Sequence, residues 1–377
     1  MLVGAPARRP AIVAALSPDR LSELGAWLDF NPDDSSETSS FGEHIAVDPE
    51  GARVAIGARS GRSTSTQDGV VYVLDGLPDG DEEPVPRLTL HGDLHPRAGL
   101  SPVAYLDLTG AGAELIVATG SADPDYPNAV FRFDPDLVGS HGVDDARARI
   151  TGRPILGQQL AGWDADGDGL AELVTSADDG VIHFPGPWLS DLVEADADVL
   201  WSERDPADQL ADTIEVLGDL DGDGRPDLAI TANTFSDGAE RGGAAYLVPA
   251  GPIRSMPAED LAFQVLGVEA GEGVGSAATS GDFDGDGHPD LVVGAYGLLP
   301  GRQTGKVLGF LGPLAPGVRT AADADFVVHG EHVFDTFGAE AVAVDADHDA
   351  RDDLVVSAQT WDGRGKVYLF HGTDLLP

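Results

Sequence analysis

The chain has 377 residues, 42% of them hydrophobic, and carries 65 Asp and Glu against 22 Lys and Arg for a formal net charge of -43. That charge argues against nucleic acid and anionic membrane surfaces as partners, because both repel it, and permits cations, cationic partners and high salt. With no cysteine, disulfides, thiolate metal sites and a cysteine nucleophile are excluded, and no run of 18 apolar residues offers a membrane-spanning helix.

Of the basic residues only Lys306 and Lys366 are lysine, the bias of a GC-rich bacterial genome, and the 49 Gly and 26 Pro imply many turns. In chain order, MLVGAP (1–6) reads as a second strand, AIVAAL (11–16) as a third and AWLDF (26–30) as a fourth, with Pro18–Ala26 a short helix or turn. Arg8-Arg9 before AIVAAL loosely mimics a signal peptide, but the apolar stretch is short and no cleavage site follows. Met1 then reads as an internal methionine of a longer protein, any secretion signal lying upstream. The next unit runs SFGEHIAVD, RVAIGA, GVVYVLDG, RLTLHG. Further along come IEVLGD, DLAITA, AAYLVPA, LAFQVLG, and then GVGSAATSGDF, DLVVGAY, KVLGFLG, ADFVVHG. Short β-branched runs punctuated by Gly and Pro argue strands over helices.

Sliding the chain against itself exposes the period. The segments beginning at Asp48, Asp107, Asp164, Asp219, Asp282 and Asp345 align, and repeats start near 41, 100, 156, 213, 274 and 337 after a partial unit at 1–30. A constant period means one supersecondary unit copied along the chain, which replaces the two-domain expectation from length with a single repeat domain over 1–377. Four antiparallel strands per unit predict an all-β fold, a β-propeller of four-stranded blades with the first and last incomplete. Two closures are open: seven blades, or six with AWLDF supplying the fourth strand of the last one.

The repeats carry a second pattern. DFDGDGHPD (282–290) and DLDGDGRPD (219–227) place aspartates at positions 1, 3, 5 and 9 with glycine at 6. Alternating side chains of a tight loop converge on one point, glycine permits the sharp turn, and the position-7 carbonyl adds an oxygen. An all-oxygen, charge-rich, flexible cage suits Ca²⁺, whereas Mg²⁺ keeps more water and softer metals want imidazole or thiolate. The candidate ligands are Asp219, Asp221, Asp223, Arg225 and Asp227; Asp282, Asp284, Asp286, His288 and Asp290; and Asp164, Asp166, Asp168, Leu170 and Glu172, with Arg225, His288 and Leu170 offering carbonyls. A fourth loop keeps Asp345, Asp347, Asp349 and Asp353 but has Ala350 where glycine belongs. About three Ca²⁺ ions are expected, with a fourth possible site. The Asp107 loop, with Thr109 and Ala111 at ligand positions, and the shorter Asp48 loop are expected to hold none. An EF-hand also opens D-x-D-x-D-G, but it needs Glu at position 12 between helices. Here position 12 is Thr175, Ile230 or Val293, inside strand-like runs.

These motifs resemble the FG-GAP repeats of integrin α-subunit β-propellers. Phe41-Gly42, Leu156-Gly157, Val274-Gly275 and Phe337-Gly338 stand where the FG pair belongs, and Gly4-Ala5-Pro6, Gly57-Ala58 and Gly294-Ala295 where GAP belongs. The resemblance implies Ca²⁺ in loops between the first two strands of several blades, and roles in adhesion, in ligand binding or as non-catalytic partners of enzymes; related repeats occur in sugar-binding lectins.

No H-E-x-x-H, G-x-S-x-G or Walker loop is present. His91 and His95, four residues apart in HGDLHP, suit a surface role better than a metal site. GEGVG (271–275) lacks the strand–helix context of a phosphate loop and reads as the entry to a first strand. Trp163, Trp188, Trp201 and Trp361 are either packing residues or a binding surface, and Tyr296, Trp361 and Asp362 fall in loops between second and third strands, where exposure is expected. The sequence therefore predicts a calcium-binding, non-catalytic interaction or adhesion module, extracellular or at the cell surface, with a protein or glycan ligand. The alternatives are a lectin-like carbohydrate binder and a domain of a larger secreted enzyme.

Overall fold

A computed structural model describes residues 2–5, 12–15, 27–29, 41–49, 51–58, 69–76, 85–92, 99–120, 128–153, 155–205, 208–237, 239–299, 304–361 and 365–376. The expected helix at Pro18–Ala26, and His95, Pro6 and Asp362, lie outside these residues. The chain is all-β and built of propeller-type blades. It divides into two compact units, one comprising Met1–Gly162, Leu170–Asp178 and His183–Asp198, the other Trp163–Gly169, Asp179–Ile182 and Val199–Pro377.

In the first unit the strands Leu2–Ala5, Ile12–Ala15 and Trp27–Asp29 form a three-stranded antiparallel sheet. Trp27–Asp29 pairs antiparallel with Ile12–Ala14 at one edge of that sheet. Phe41–Val47, Val54–Ala58, Val70–Leu74 and Leu88–His91 follow as a blade, and Gly99–Leu106, Glu114–Gly120, Asn128–Phe133 and Ala148–Gly152 as another. In the second unit Ile214–Val216, Leu228–Ala232, Ala244–Val248 and Phe263–Leu266 form a blade. Val274–Gly281, Asp290–Ala295, Lys306–Phe310 and Phe326–His329 form the next, and Phe337–Val344, Asp353–Ala358 and Lys366–Phe370 the last. The repeat beginning near 156 supplies strands at Leu160–Trp163, Glu172–Ala177, Gly180–Phe184 and Val199–Ser202.

Burial explains the sequence pattern strand by strand. Second strands such as Leu228–Ala232 and Asp290–Ala295 are buried at every residue, so they are continuously apolar rather than alternating. Fourth strands such as Leu88–His91, Val199–Ser202 and Phe263–Leu266 alternate buried and half-buried residues, the period-2 pattern of a strand with one covered face.

The FG pair sits at an irregularity. The pairing of first and second strands shifts register between Val274 and Ala278 and again between Phe337 and Ala341. Gly338 has φ +89°, and a Cβ there would lie 2.5 Å from the Lys306 carbonyl oxygen. Gly294 of the preceding GA pair is as confined, because a Cβ there would lie 2.2 Å from the carbonyl oxygen of Gly338. The FG glycine of one repeat therefore abuts the GA glycine of the repeat before it, and Ser276 Oγ donates to the same Gly338 carbonyl at 2.8 Å. Only glycine allows both the left-handed backbone and the close approach.

One feature departs from four strands per unit. A short segment ahead of four of the fourth strands pairs in parallel with the fourth strand of the preceding repeat: Gly139–Gly142 with Leu88–His91, Leu192–Val193 with Ala148–Gly152, Met256–Pro257 with Val199–Ser202, and Gly317–Arg319 with Phe263–Leu266. A 3₁₀ turn follows each, at Val143–Asp145, Glu194–Asp196, Ala258–Asp260 and Ala321–Asp323. This fifth strand covers an edge that would otherwise expose unpaired backbone groups.

Candidate metal centres

The aspartate loops share one backbone frame. The first aspartate takes the N–H groups of residues three and five further on: Asp219 from Gly222 at 2.8 Å and Gly224 at 2.8 Å, Asp282 from Gly285 at 2.7 Å and Gly287 at 2.9 Å, Asp164 from Gly167 at 2.8 Å and Gly169 at 3.0 Å. Each third-position aspartate accepts the N–H two residues on, as Asp221 does from Asp223, Asp284 from Asp286 and Asp166 from Asp168. These local bonds curl the loop so that acidic side chains face inward.

The ninth position anchors the cage. Asp227 accepts the N–H groups of Leu220 at 2.9 Å and Ala250 at 3.2 Å, and Asp290 those of Phe283 at 2.9 Å and Gly312 at 2.8 Å. Both are buried, 2% and 0% exposed. Burial pushes each carboxyl up to about 6, with neighbouring loop aspartates adding to the shift and the backbone donors opposing it. Burial also raises Asp221.

Asp219, Asp221 and Asp227 each bring an oxygen within 4.8 Å of the others, as do Asp282, Asp284 and Asp290. Asp164, Asp166 and Asp168 meet the same distance, and Glu172 is buried at the head of its strand. The fifth-position residues Asp223 and Asp286 are outside these groups and instead accept the N–H groups of Arg225 and His288 at 2.9 Å and 2.8 Å. In the fourth loop Asp345, Asp347 and Asp349 form one group, while Asp353 gathers with Asp347 and His371 in another.

The Asp107 loop keeps the frame without the acids. Asp107 accepts from Gly110 at 2.7 Å and Gly112 at 3.3 Å, but the closing acid Glu114 is held by Arg132 Nη1 at 2.7 Å and 2.9 Å and by Arg147 at 3.2 Å. Arg132 also lies over the Trp188 ring, 6.0 Å from its centroid. The Asp48 loop is an ordinary turn in which Asp48 accepts from Ala52 and Arg53.

The FG-GAP repeat family model matches residues 213–248 and 274–308. The chain carries FG-GAP repeats. Integrin alpha-5 of Xenopus laevis is 30% identical over 157 residues, covering 38% of this chain and 15% of that protein. Integrin alpha-PS2 of Drosophila melanogaster is 32% identical over 170 residues, 43% of this chain and 12% of that protein. The phosphatidylinositol-glycan-specific phospholipase D of Rattus norvegicus is 31% identical over 156 residues, 39% of this chain and 18% of that enzyme. The matched FG-GAP region is thus less than a fifth of each relative.

Of the tryptophans singled out above, Trp163, Trp188 and Trp201 are core residues, 0%, 3% and 1% exposed, and Trp163 packs on Trp201 with centroids 6.4 Å apart. Trp361 differs: Lys366 Nζ lies 5.1 Å from its ring centroid and 4.1 Å from that of Tyr368, and pairs with Glu331 at 3.0 Å. Two groups were not found from sequence. His371 follows the last third strand and has no acidic-loop signature of its own. Asp212, Glu215 and Glu340 sit at or beside first strands; desolvation, then the Glu340 charge, pushes Glu215 up to about 7, desolvation, then the Asp212 charge, pushes Glu340 up to about 7, and desolvation pushes Asp212 up to about 6.

Proposed function

We propose that this FG-GAP chain is a non-catalytic interaction module working outside the cell or at its surface, in which the loops at 164–172, 219–227 and 282–290 hold Ca²⁺. The observation that carries the reading is the pair of three-carboxylate groups at Asp219, Asp221, Asp227 and at Asp282, Asp284, Asp290. Their buried closing acids accept backbone N–H groups, whereas Glu114 of the degenerate loop is neutralised by arginine. The donor set is all oxygen and suits a hard cation of Ca²⁺ type. Extracellular sites of this class bind at roughly 10⁻⁴–10⁻³ M, which matches a millimolar-calcium medium. When bound, the ion offsets two of the loop's negative charges and ties the first strand of a blade to its second.

The integrin alpha-5 and alpha-PS2 likenesses favour a protein ligand for the module. A glycan ligand is the second reading, favoured by Trp361 and Tyr368 beside Lys366 and Glu331, since aromatic faces with flanking polar groups suit sugars. The test is a melt of the full chain with and without chelator, followed by pull-down and glycan-array binding in both states. A chelator-sensitive melting temperature is expected, its shift reduced in the double variant Asp219→Asn, Asp282→Asn to what the 164–172 loop alone supplies. A melt indifferent to chelator would contradict the reading.

A further inference from the structure

The fourth loop differs from the others in the donors around its closing acid, where Asp353 gathers with Asp347 and His371. We infer that Asp347, Asp353 and His371 form a separate site for a borderline divalent cation of the Zn²⁺ or Co²⁺ type. The backbone frame there is intact: Asp345 accepts from Asp349 at 3.1 Å and Ala350 at 3.2 Å, and Asp353 accepts from Ala346 at 3.1 Å and Gly372 at 3.0 Å. His348 and Ala350 hold the left-handed conformation, φ 62° and 71°, that glycine holds in the sibling loops. The loop therefore keeps its shape while its donors change.

The change comes from the third strand. The residue whose successor donates its N–H to the closing acid is Pro249 in one blade and Leu311 in the next, neither with a donor atom in its side chain; in the last blade it is His371. His371 Nδ1 lies 3.3 Å from Asp347 Oδ2 and 3.3 Å from Asp353 Oδ1, and the three donor atoms fall within 4.8 Å of one another. Donors on a tetrahedral ion with bonds of about 2.0–2.1 Å stand about 3.3 Å apart, so the two His371 spacings admit such an ion. Imidazole is a ligand that borderline ions favour and Ca²⁺ does not. His371 and Asp347 side chains are 42% and 41% exposed, so the ion has an entry path, while Asp353 at 1% supplies a fixed anchor.

The test is a calorimetric titration of Zn²⁺ into the chelator-stripped full chain, at millimolar Ca²⁺ and without it, with Co²⁺ absorption as a second readout. One saturable Zn²⁺ equivalent is expected at both Ca²⁺ levels. His371→Leu, which installs the residue of the sibling blade, should weaken it by about ten-fold or more and remove the Co²⁺ bands, as should His371→Asn; Asp284→Asn should leave both unchanged. No saturable equivalent, or one indifferent to His371→Leu, would overturn the inference. Because Zn²⁺ and Ca²⁺ are titrated separately, failure of calcium binding at Asp219 and Asp282 is read independently of this result.

Discussion

The loops at 107–114 and 282–290 begin alike and close differently. In both, the first aspartate gathers the N–H groups of two residues further along, and in both a buried acid, Glu114 at 2% or Asp290 at 0% exposure, heads the second strand. In the first loop Thr109 and Ala111 replace two acids, and Arg132 meets both oxygens of Glu114. In the second loop Asp284 and Asp286 remain, and Asp290 takes backbone donors. The same scaffold is thus neutralised from within in one repeat and keeps its carboxylates unpaired with arginine in another. On the proposed reading, metal dependence is a property of single loops, set by a few side chains around a fixed backbone.

Four variants or conditions sharpen that contrast. The largest effect is expected from Arg132→Ala, which strands the buried Glu114 charge and should cost about 3–5 kcal/mol in denaturant unfolding, equally with and without chelator. Dependence on chelator would erase the distinction between the two loop types. Next, Gly338→Ala forces a Cβ against the Lys306 carbonyl in a left-handed backbone and should cost about 1–3 kcal/mol or more, again independently of calcium. Smaller is Asp290→Asn, which at calcium ten times its dissociation constant should remove about 1.4 kcal/mol of ligand-linked stability, visible as a reduced melting-temperature difference between calcium and chelator. The smallest concerns pH in the metal-free chain. Glu215 and Glu340 near 7 and Asp212 near 6 are raised above their unfolded values of 4.5 and 3.8. The folded state then binds more protons than the unfolded one between about pH 4 and 7, so stability falls as pH rises through that window. Glu340→Gln should flatten the slope; an unchanged slope would remove these acids as its source.

Much of this organisation is legible in the sequence because two periodicities report it directly. The recurring aspartates mark every turn between first and second strands, and the unbroken apolar runs after them mark strands buried on both faces, such as Asp290–Ala295. The fifth strand was not legible. Segments such as Leu192–Val193 and Met256–Pro257 are two residues long and half-exposed or exposed, too short for any alternation; the signal that could have found them is the recurring small-acidic turn in EADAD, AEDLA and AADAD. Position 5 varies between loops: Asp168 and Asp349 stand within the close carboxylate groups while Asp223 and Asp286 stand outside theirs, a difference the shared spacing does not foresee. Arg132 and His371 escaped for one shared reason. Each reaches its loop from the end of a third strand, 18 residues from Glu114 and from Asp353 respectively, so no local motif joins them.

The account rests on whether the carboxylate groups at 219–227 and 282–290 take up a hard divalent ion. Calorimetric titration of Ca²⁺ into the metal-free chain decides it, comparing the parent with Asp219→Asn, Asp282→Asn and the double variant. Each single substitution should remove one equivalent and the pair should remove two, leaving the Asp107 loop silent throughout. A parent chain that gives no saturable calcium heat, or variants that keep the full stoichiometry, would contradict it.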